Sequence, residues 1–181
     1  VGGLCSVSLP AMGAGGHLVL HRAWDAEAVM RDIAKYRVSV TFAVPSMLLF
    51  MSQHPGFEAA DLSTLRTIAV GGAPMPVPLL QRYAARGIPV NQGFGMTETC
   101  ATVSLLMPER GIDKQGSCGT PALLTEVRLT DYDGQPITQP HVKGELCIRG
   151  GNVMKGYWNR PDATAASFDS EGWFRSGDVA Y

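Results

Sequence analysis

The feature that most constrains the fold is an alternation running through the first hundred residues. Short apolar runs bounded by turn signals alternate with segments whose apolar residues recur every three or four positions. That order predicts strand, helix, strand, helix: a parallel sheet with helices on its faces. A first short strand is read at His17–Leu20. Asp25 can cap a helix running to about Arg37, with Trp24 before the cap and Val29 after it as a hydrophobic staple. Val29, Met30, Ile33 and Ala34 sit at helical spacing. Val38–Val44 reads as a strand with Val38, Val40, Phe42 and Val44 on one face. Pro45-Ser46 opens a helix from Met47 to Gln53. Leu65–Val70 is the next strand, and it ends in Gly71-Gly72-Ala73-Pro74. Pro76 and Pro78 lead a helix to about Arg86, where Gly87 is a stop signal. Pro89–Gln92 is a further short strand, followed by Gly93-Phe94-Gly95-Met96-Thr97-Glu98.

The pattern changes after about residue 108. Val127–Thr130, Glu145–Arg149 and Trp173–Arg175 read as short strands, and Asp133-Gly134 as a hairpin turn between Leu129 and Ile137. Helical periodicity returns only at Ala163–Phe168. The expected fold class is therefore α/β: a parallel sheet flanked by helices over 1–108, then a small antiparallel or barrel-like β subdomain over 109–181.

Composition removes several function classes. A formal charge of −1 lacks the basic excess of a nucleic-acid protein. No apolar run reaches the roughly 18 residues of a transmembrane helix. A hydrophobic content of 45% excludes a disordered chain. Cys5, Cys100, Cys118 and Cys147 form no CxxC pair and never cluster with histidine at zinc-ligand spacing. They read as buried free thiols of a reducing compartment, which points to a cytoplasmic protein. No signal peptide is visible. The chain starts at Val1 without a Met and stops at Tyr181 without a polar tail, so both ends read as cut.

Glycine is in excess, 21 of 181 residues, against a usual level of about 7%. Part of that excess falls in three turns with chemical potential. Gly71-Gly72-Ala73-Pro74 follows a strand, where a parallel sheet binds ligands and bare backbone admits a flat group; a tight turn into the next helix is the plain alternative. Gly93–Glu98 combines an aromatic face, a hydroxyl and a carboxylate able to hold Mg2+; a loop with Phe94 in the core and Glu98 in water explains it equally well. Arg175-Ser176-Gly177-Asp178 offers a carboxylate that could bind a ribose diol, or simply an Asp in a surface turn.

Taken together, in this order and spacing, these motifs resemble the adenylate-forming superfamily of acyl-CoA synthetases, peptide-synthetase adenylation domains and beetle luciferases. Gln92–Glu98 resembles that family's Tyr-Gly-x-Thr-Glu motif, with Phe94 in place of the usual Tyr. Gly71–Pro74 resembles its adenine-contacting segment. Gly144-Glu145-Leu146-Cys147-Ile148-Arg149-Gly150 and the stretch from Val153 to Pro161 resemble its Gly-Glu-Leu and Gly-Tyr block. Trp173–Asp178 resembles its Thr-Gly-Asp motif, with Ser176 for Thr. The general run is most similar to fatty-acyl and related acyl-CoA synthetases.

The resemblance implies an ATP-dependent acid–thiol ligase with ATP/AMP, Mg2+ and coenzyme A as cofactors and a carboxylic acid, a fatty acid first of all, as substrate. It implies that Gly72, Ala73 and Pro74 form one wall of an adenine slot and Phe94 the other. Gln92 would read the adenine amino group, Thr97 would bind the α-phosphate, Glu98 would bind Mg2+, and Asp178 would accept the ribose hydroxyls. Gly71, Gly95 and Met96 would border the acyl pocket. The family's phosphate-cradling Lys-Gly loop and the catalytic Lys of its smaller domain match nothing here, so the chain is expected to be an inactive internal piece of the large domain. Two rival readings are an adenylation domain that loads a carrier protein and a non-catalytic nucleotide-binding remnant. A nicotinamide-dependent fold is disfavoured, because Gly13–Gly16 precedes a strand instead of following one.

Overall fold

A computed structural model describes residues 1–111, 113–114 and 116–181. In chain order, a wide helical turn at Gly2–Ser8 runs into α1 (Leu9–Gly13), then α2 (Ala26–Tyr36), β1 (Val40–Ala43), α3 (Pro45–Gln53), β2 (Thr67–Val70), α4 (Val77–Ala84) and β3 (Val90–Phe94). A 3-10 turn at Thr97–Thr99 leads to β4 (Ser104–Leu106), α5 (Pro108–Gly111) and β5 (Thr120–Pro121). The chain finishes with β6 (Thr125–Thr130), β7 (Pro136–Ile137), β8 (Gly144–Gly150), α6 (Pro161–Ser167) and β9 (Phe174–Ala180).

The first sheet has the order β1-β2-β3-β4-β5. β1, β2 and β3 are parallel, as the alternation requires, with α3 and α4 as crossovers. β4 and β5 are antiparallel additions at one edge, so the sheet is mixed. The α2 cap is the expected one: Asp25 Oδ1 accepts the Ala28 N–H at 2.7 Å. α2, α3 and α4 share one core with Ala43, Ile68 and Val70, and therefore cover a single face of the sheet. Tyr83 is its largest fully buried side chain. The Tyr83 hydroxyl donates to the Leu48 carbonyl at 2.8 Å, and burial holds the phenol protonated well above its usual range. Arg86 lies over the Phe57 ring, 4.8 Å from its centroid, and donates to the Phe57 and Ala60 carbonyls. That satisfies backbone in a long connection that lacks a ladder of its own.

Two early expectations fail. His17–Leu20 forms no strand: it pairs with no described strand, although β1 lies at the sheet edge and shares a cavity lining with it. Helix occupies Gly2–Gly13 instead, where no element was expected. Phe42 turns away from the helical core; a Cβ on Gly2 would lie 3.3 Å from its ring, which places the N-terminal helical turn on the opposite sheet face. All four cysteines are free, but only Cys147 is buried; Cys5 and Cys118 are partly covered and Cys100 is exposed.

The second sheet is antiparallel, in the order β7-β6-β8-β9, and open, not a closed barrel. The chain turns at Asp133-Gly134 as expected, but Leu129 pairs with Ile137 and the Asp131 N–H donates to the Gln135 carbonyl, so the loop is Tyr132-Asp133-Gly134, one residue longer than the Asp-Gly pair alone. Two guanidinium groups lie against the Trp173 ring, Arg128 at 4.5 Å and Arg149 at 4.4 Å from its centroid. The core of this unit, Leu146, Ile148 and Phe174, also contains Val103 and packs against Phe94 and Met96. The segment leaving β3 therefore belongs physically to both units.

Candidate functional site

β2 and β3 are parallel neighbours with Val70 opposite Gln92. The turns that follow them, Gly71–Pro74 and Gly95–Glu98, thus leave the sheet side by side at its carboxyl end, where an open α/β sheet forms its crevice. Gly72, Ala73 and Pro74 are exposed. Behind them Met75 is buried, and its N–H donates to Gln92 Oε1 at 3.1 Å. The other end of that amide donates to the Ser117 carbonyl at 3.2 Å. Gln92 is only 5% exposed. Both ends of the amide are engaged inside the protein, and Gln92 ties the first turn to the sheet.

The second turn is built differently. A Cβ on Gly95 would lie 1.5 Å from the Ala101 carbonyl oxygen, so no other residue fits while the chain doubles back. Cys100 and Ala101 both have positive φ, 50° and 79°. Such residues cost roughly 1–3 kcal/mol each and persist only where the surroundings enforce them. Here the surroundings are identifiable. Thr99, fully buried, accepts the Met96 N–H at 3.2 Å and donates to the Met96 carbonyl at 3.1 Å. Asn152 Nδ2 donates to the carbonyls of Thr99 and Thr102, both at 3.1 Å. The Met154 N–H donates to the Glu98 carbonyl at 2.7 Å. The Tyr157 hydroxyl donates to Glu98 Oε1 at 2.9 Å. That bond to a carboxylate, and then desolvation, raise the Tyr157 phenol above its ordinary pKa.

These contacts leave Thr97 exposed, Glu98 half-buried, and Phe94 and Met96 half-buried against the second core. Among the described residues Glu98 has no cationic partner, and its second oxygen accepts no hydrogen bond. A hard cation fits that oxygen. Among the described residues no cluster of three His, Cys, Asp or Glu exists to cage one. This donor set suits Mg2+ completed by phosphate oxygens and water, the usual arrangement for that ion.

Asp178 lies where β9 bulges from β8, between the pairs Glu145–Val179 and Cys147–Arg175. Glu145 braces the bulge, accepting the Gly177 N–H at 3.2 Å and Arg175 Nε at 3.0 Å. Ser176 Oγ accepts the Asp178 N–H at 3.1 Å. The Asp178 side chain is exposed, and among the described residues no hydrogen bond joins it to the two turns. The structure therefore gathers Gly71–Pro74 with Gln92 and Phe94–Glu98.

A family model described as an AMP-binding enzyme matches residues 1–158. The chain belongs to the AMP-binding enzyme family. Among curated relatives, the feruloyl-CoA synthase of an Amycolatopsis species is 46% identical over 174 residues, 96% of this chain and 35% of that protein. The long-chain-fatty-acid–CoA ligase FadD13 of Mycobacterium tuberculosis is 40% identical over 179 residues, 99% of this chain and 35% of that protein. The chain thus spans about a third of the length of these relatives. Among solved structures, the Bacillus subtilis O-succinylbenzoate coenzyme A synthetase (MenE) in complex with ATP and magnesium ion superposes with a TM-score of 0.87 at 36% identity, covering 97% of this chain and 36% of that one. The N-terminal domain of Mycobacterium tuberculosis FACL13 superposes at 0.86 with 40% identity, covering 93% of this chain and 42% of that one.

Set beside the family resemblance, the site also holds residues to which the sequence reading gave no role. Glu145 and Tyr157 lie inside motifs that the sequence marked, yet nothing in their spacing assigned them chemistry. Thr99 and Asn152 carried no signal at all, since their partners are backbone groups brought near only by folding. Among the described residues, no helix is long and apolar enough to cross a membrane.

Proposed function

We propose that this chain forms the nucleotide-facing part of an ATP-dependent acid–CoA ligase, one that joins a carboxylic acid to AMP and then to the thiol of CoA. The observation that carries the reading is the paired placement of the two turns at the carboxyl ends of β2 and β3, with the Glu98 carboxylate fixed by one oxygen and open at the other. Relatives that act on feruloyl, indoleacetate, long-chain fatty acyl and succinylbenzoate groups, by their names, support acid–CoA ligation in general. They favour no particular acid, and a fatty acid is one candidate among several.

On this reading the exposed backbone of Gly72–Pro74 and the face of Phe94 take the two sides of the adenine ring. Phe94 offers a stacking surface without a phenol hydroxyl. The Thr97 hydroxyl is exposed and unburdened, and it donates to an α-phosphate oxygen. The carboxylate substrate must approach that phosphorus although both carry negative charge, so positioning and charge neutralisation supply most of the rate. A divalent cation at Glu98 would supply part of that neutralisation. Gly71, Gly95 and Met96 border the acyl side, and the exposed Asp178 carboxylate binds the ribose. Localisation in the cytoplasm and use of CoA rather than a carrier protein belong to the same proposal.

Substitution in the longest natural chain that contains this sequence tests it. Glu98→Ala and Thr97→Ala are each expected to lower acid-dependent pyrophosphate exchange by about 100-fold or more, the scale on which loss of one charge-stabilising group acts. Unchanged exchange in both variants would remove the second turn from the site.

A further inference from the structure

The second β unit does more than pack beneath the site. Between β8 and α6, the segment Asn152–Tyr157 reaches across to the loop after β3 and holds it at consecutive points. Asn152 takes the Thr99 and Thr102 carbonyls, Met154 takes the Glu98 carbonyl, and Tyr157 takes the Glu98 carboxylate. Glu98 is therefore gripped at both its main chain and its side chain by one short stretch.

Tyr157 is itself fixed. Its N–H donates to Thr164 Oγ1 at 2.9 Å, and that hydroxyl donates to the Arg160 carbonyl at 2.8 Å in the first turn of α6. Gly156, with φ +151°, lets the chain pass Thr164, because a Cβ there would lie 2.7 Å from the Thr164 methyl. The phenol is thereby presented from a braced backbone. A free glutamate side chain samples several rotamers and loses that freedom on binding. One whose Oε1 is already bonded presents Oε2 in a single direction. Groups that hydrogen-bond a metal-ligating carboxylate tune metal affinity in the same way.

We infer that Tyr157 is a positioning residue that aims the Glu98 carboxylate at the cation of a metal–nucleotide complex, and that the Asn152–Tyr157 strap is the device by which the β unit sets the charge side of the site. The inference rests on the reading of Glu98 as the cation-binding group.

The test uses the longest natural chain containing this sequence, with Mn2+ as a spin-active probe added to protein saturated with ATP. Bound Mn2+ is read by electron paramagnetic resonance, and metal-free AMP binding by calorimetry. Tyr157→Phe, which removes only the hydroxyl, is expected to weaken Mn2+ binding by about 10-fold while leaving AMP affinity and melting temperature unchanged. Glu98→Gln is expected to weaken Mn2+ further, and adding Tyr157→Phe to it should bring no additional loss. If Tyr157→Phe binds Mn2+ as the parent does while Glu98→Gln does not, the positioning role falls and the Glu98 reading stands. If Glu98→Gln also binds Mn2+ normally, both fall. If Tyr157→Phe lowers AMP affinity, Mn2+ affinity and melting temperature together, the tyrosine only holds the loop and the inference is overturned.

Discussion

The two turns that leave β2 and β3 sit side by side but are secured in opposite ways. Gly71–Pro74 is held from within its own unit, by one buried amide, Gln92, and its residues face solvent without strain beyond what glycine absorbs. Gly95–Thr102 is strained at two non-glycine residues and is held from outside by Asn152, Met154 and Tyr157. A slot that grips a flat, neutral ring needs only a flat wall. A carboxylate that must face concentrated phosphate charge needs a fixed direction, and direction takes several anchors. On the proposed function, the first turn serves shape and the second serves charge.

The largest effect is expected from Gly95→Ala. The new Cβ meets the Ala101 carbonyl at 1.5 Å, a backbone contact that no rotamer change relieves. Loss of several kcal/mol, with a melting temperature lowered by about 10 °C or more, is the expected outcome, and pyrophosphate exchange should vanish with it. A stable, active Gly95→Ala protein would show that the second turn is not strained as described.

Gln92→Leu follows. It strands the buried Met75 N–H, at a cost of about 1–3 kcal/mol, measurable by urea denaturation. AMP affinity should fall, while the Mn2+ requirement of the ATP complex stays constant. A change in the cation requirement would break the separation between the two turns.

Asn152→Ala is the converse experiment. It leaves the Thr99 and Thr102 carbonyls without their donor, at about 1 kcal/mol for each lost bond. Hydrogen exchange should quicken in residues 97–102 and not in 71–75. Equal quickening in both would mean that the turns are anchored as one piece.

Acid should act in the same sense and more weakly. Burial pushes the Asp169 carboxyl up, but the Trp173 and Glu171 N–H groups and the Arg128 guanidinium outweigh it and hold the pKa below the usual value. A depressed carboxylate stabilises the fold above its unfolded value of about 3.9 and loses that contribution as pH falls further, through its folded value. The second unit should therefore loosen below about pH 4, taking loop 97–102 with it before 71–75. Asp169→Asn should flatten that acid slope in a melting-temperature series.

Much of this architecture was legible one element at a time. The α2 cap at Asp25 and the turn at Asp133-Gly134 are local: the cap needs one side chain and a nearby N–H, and the turn needs an Asp-Gly pair between short strands. The parallel core of the first sheet followed from the alternation, because parallel strands need crossovers. His17–Leu20 misled, since an apolar run becomes a strand only where a partner ladder exists.

The sequence by itself determined the chemistry available to each turn: glycines where backbone must lie bare, and a hydroxyl and a carboxylate together at Thr97-Glu98. It also placed the chain beside the AMP-binding enzymes through motifs in order. Only the tertiary structure decided which way those groups face. Gln92 turned inward because a buried N–H and a half-buried carbonyl lay within its reach. Glu98 acquired a direction because Tyr157, 59 residues away in the chain, is its hydrogen-bond partner. A motif lists functional groups in order along a chain. Their aim depends on partners brought close by packing, and no local pattern records those.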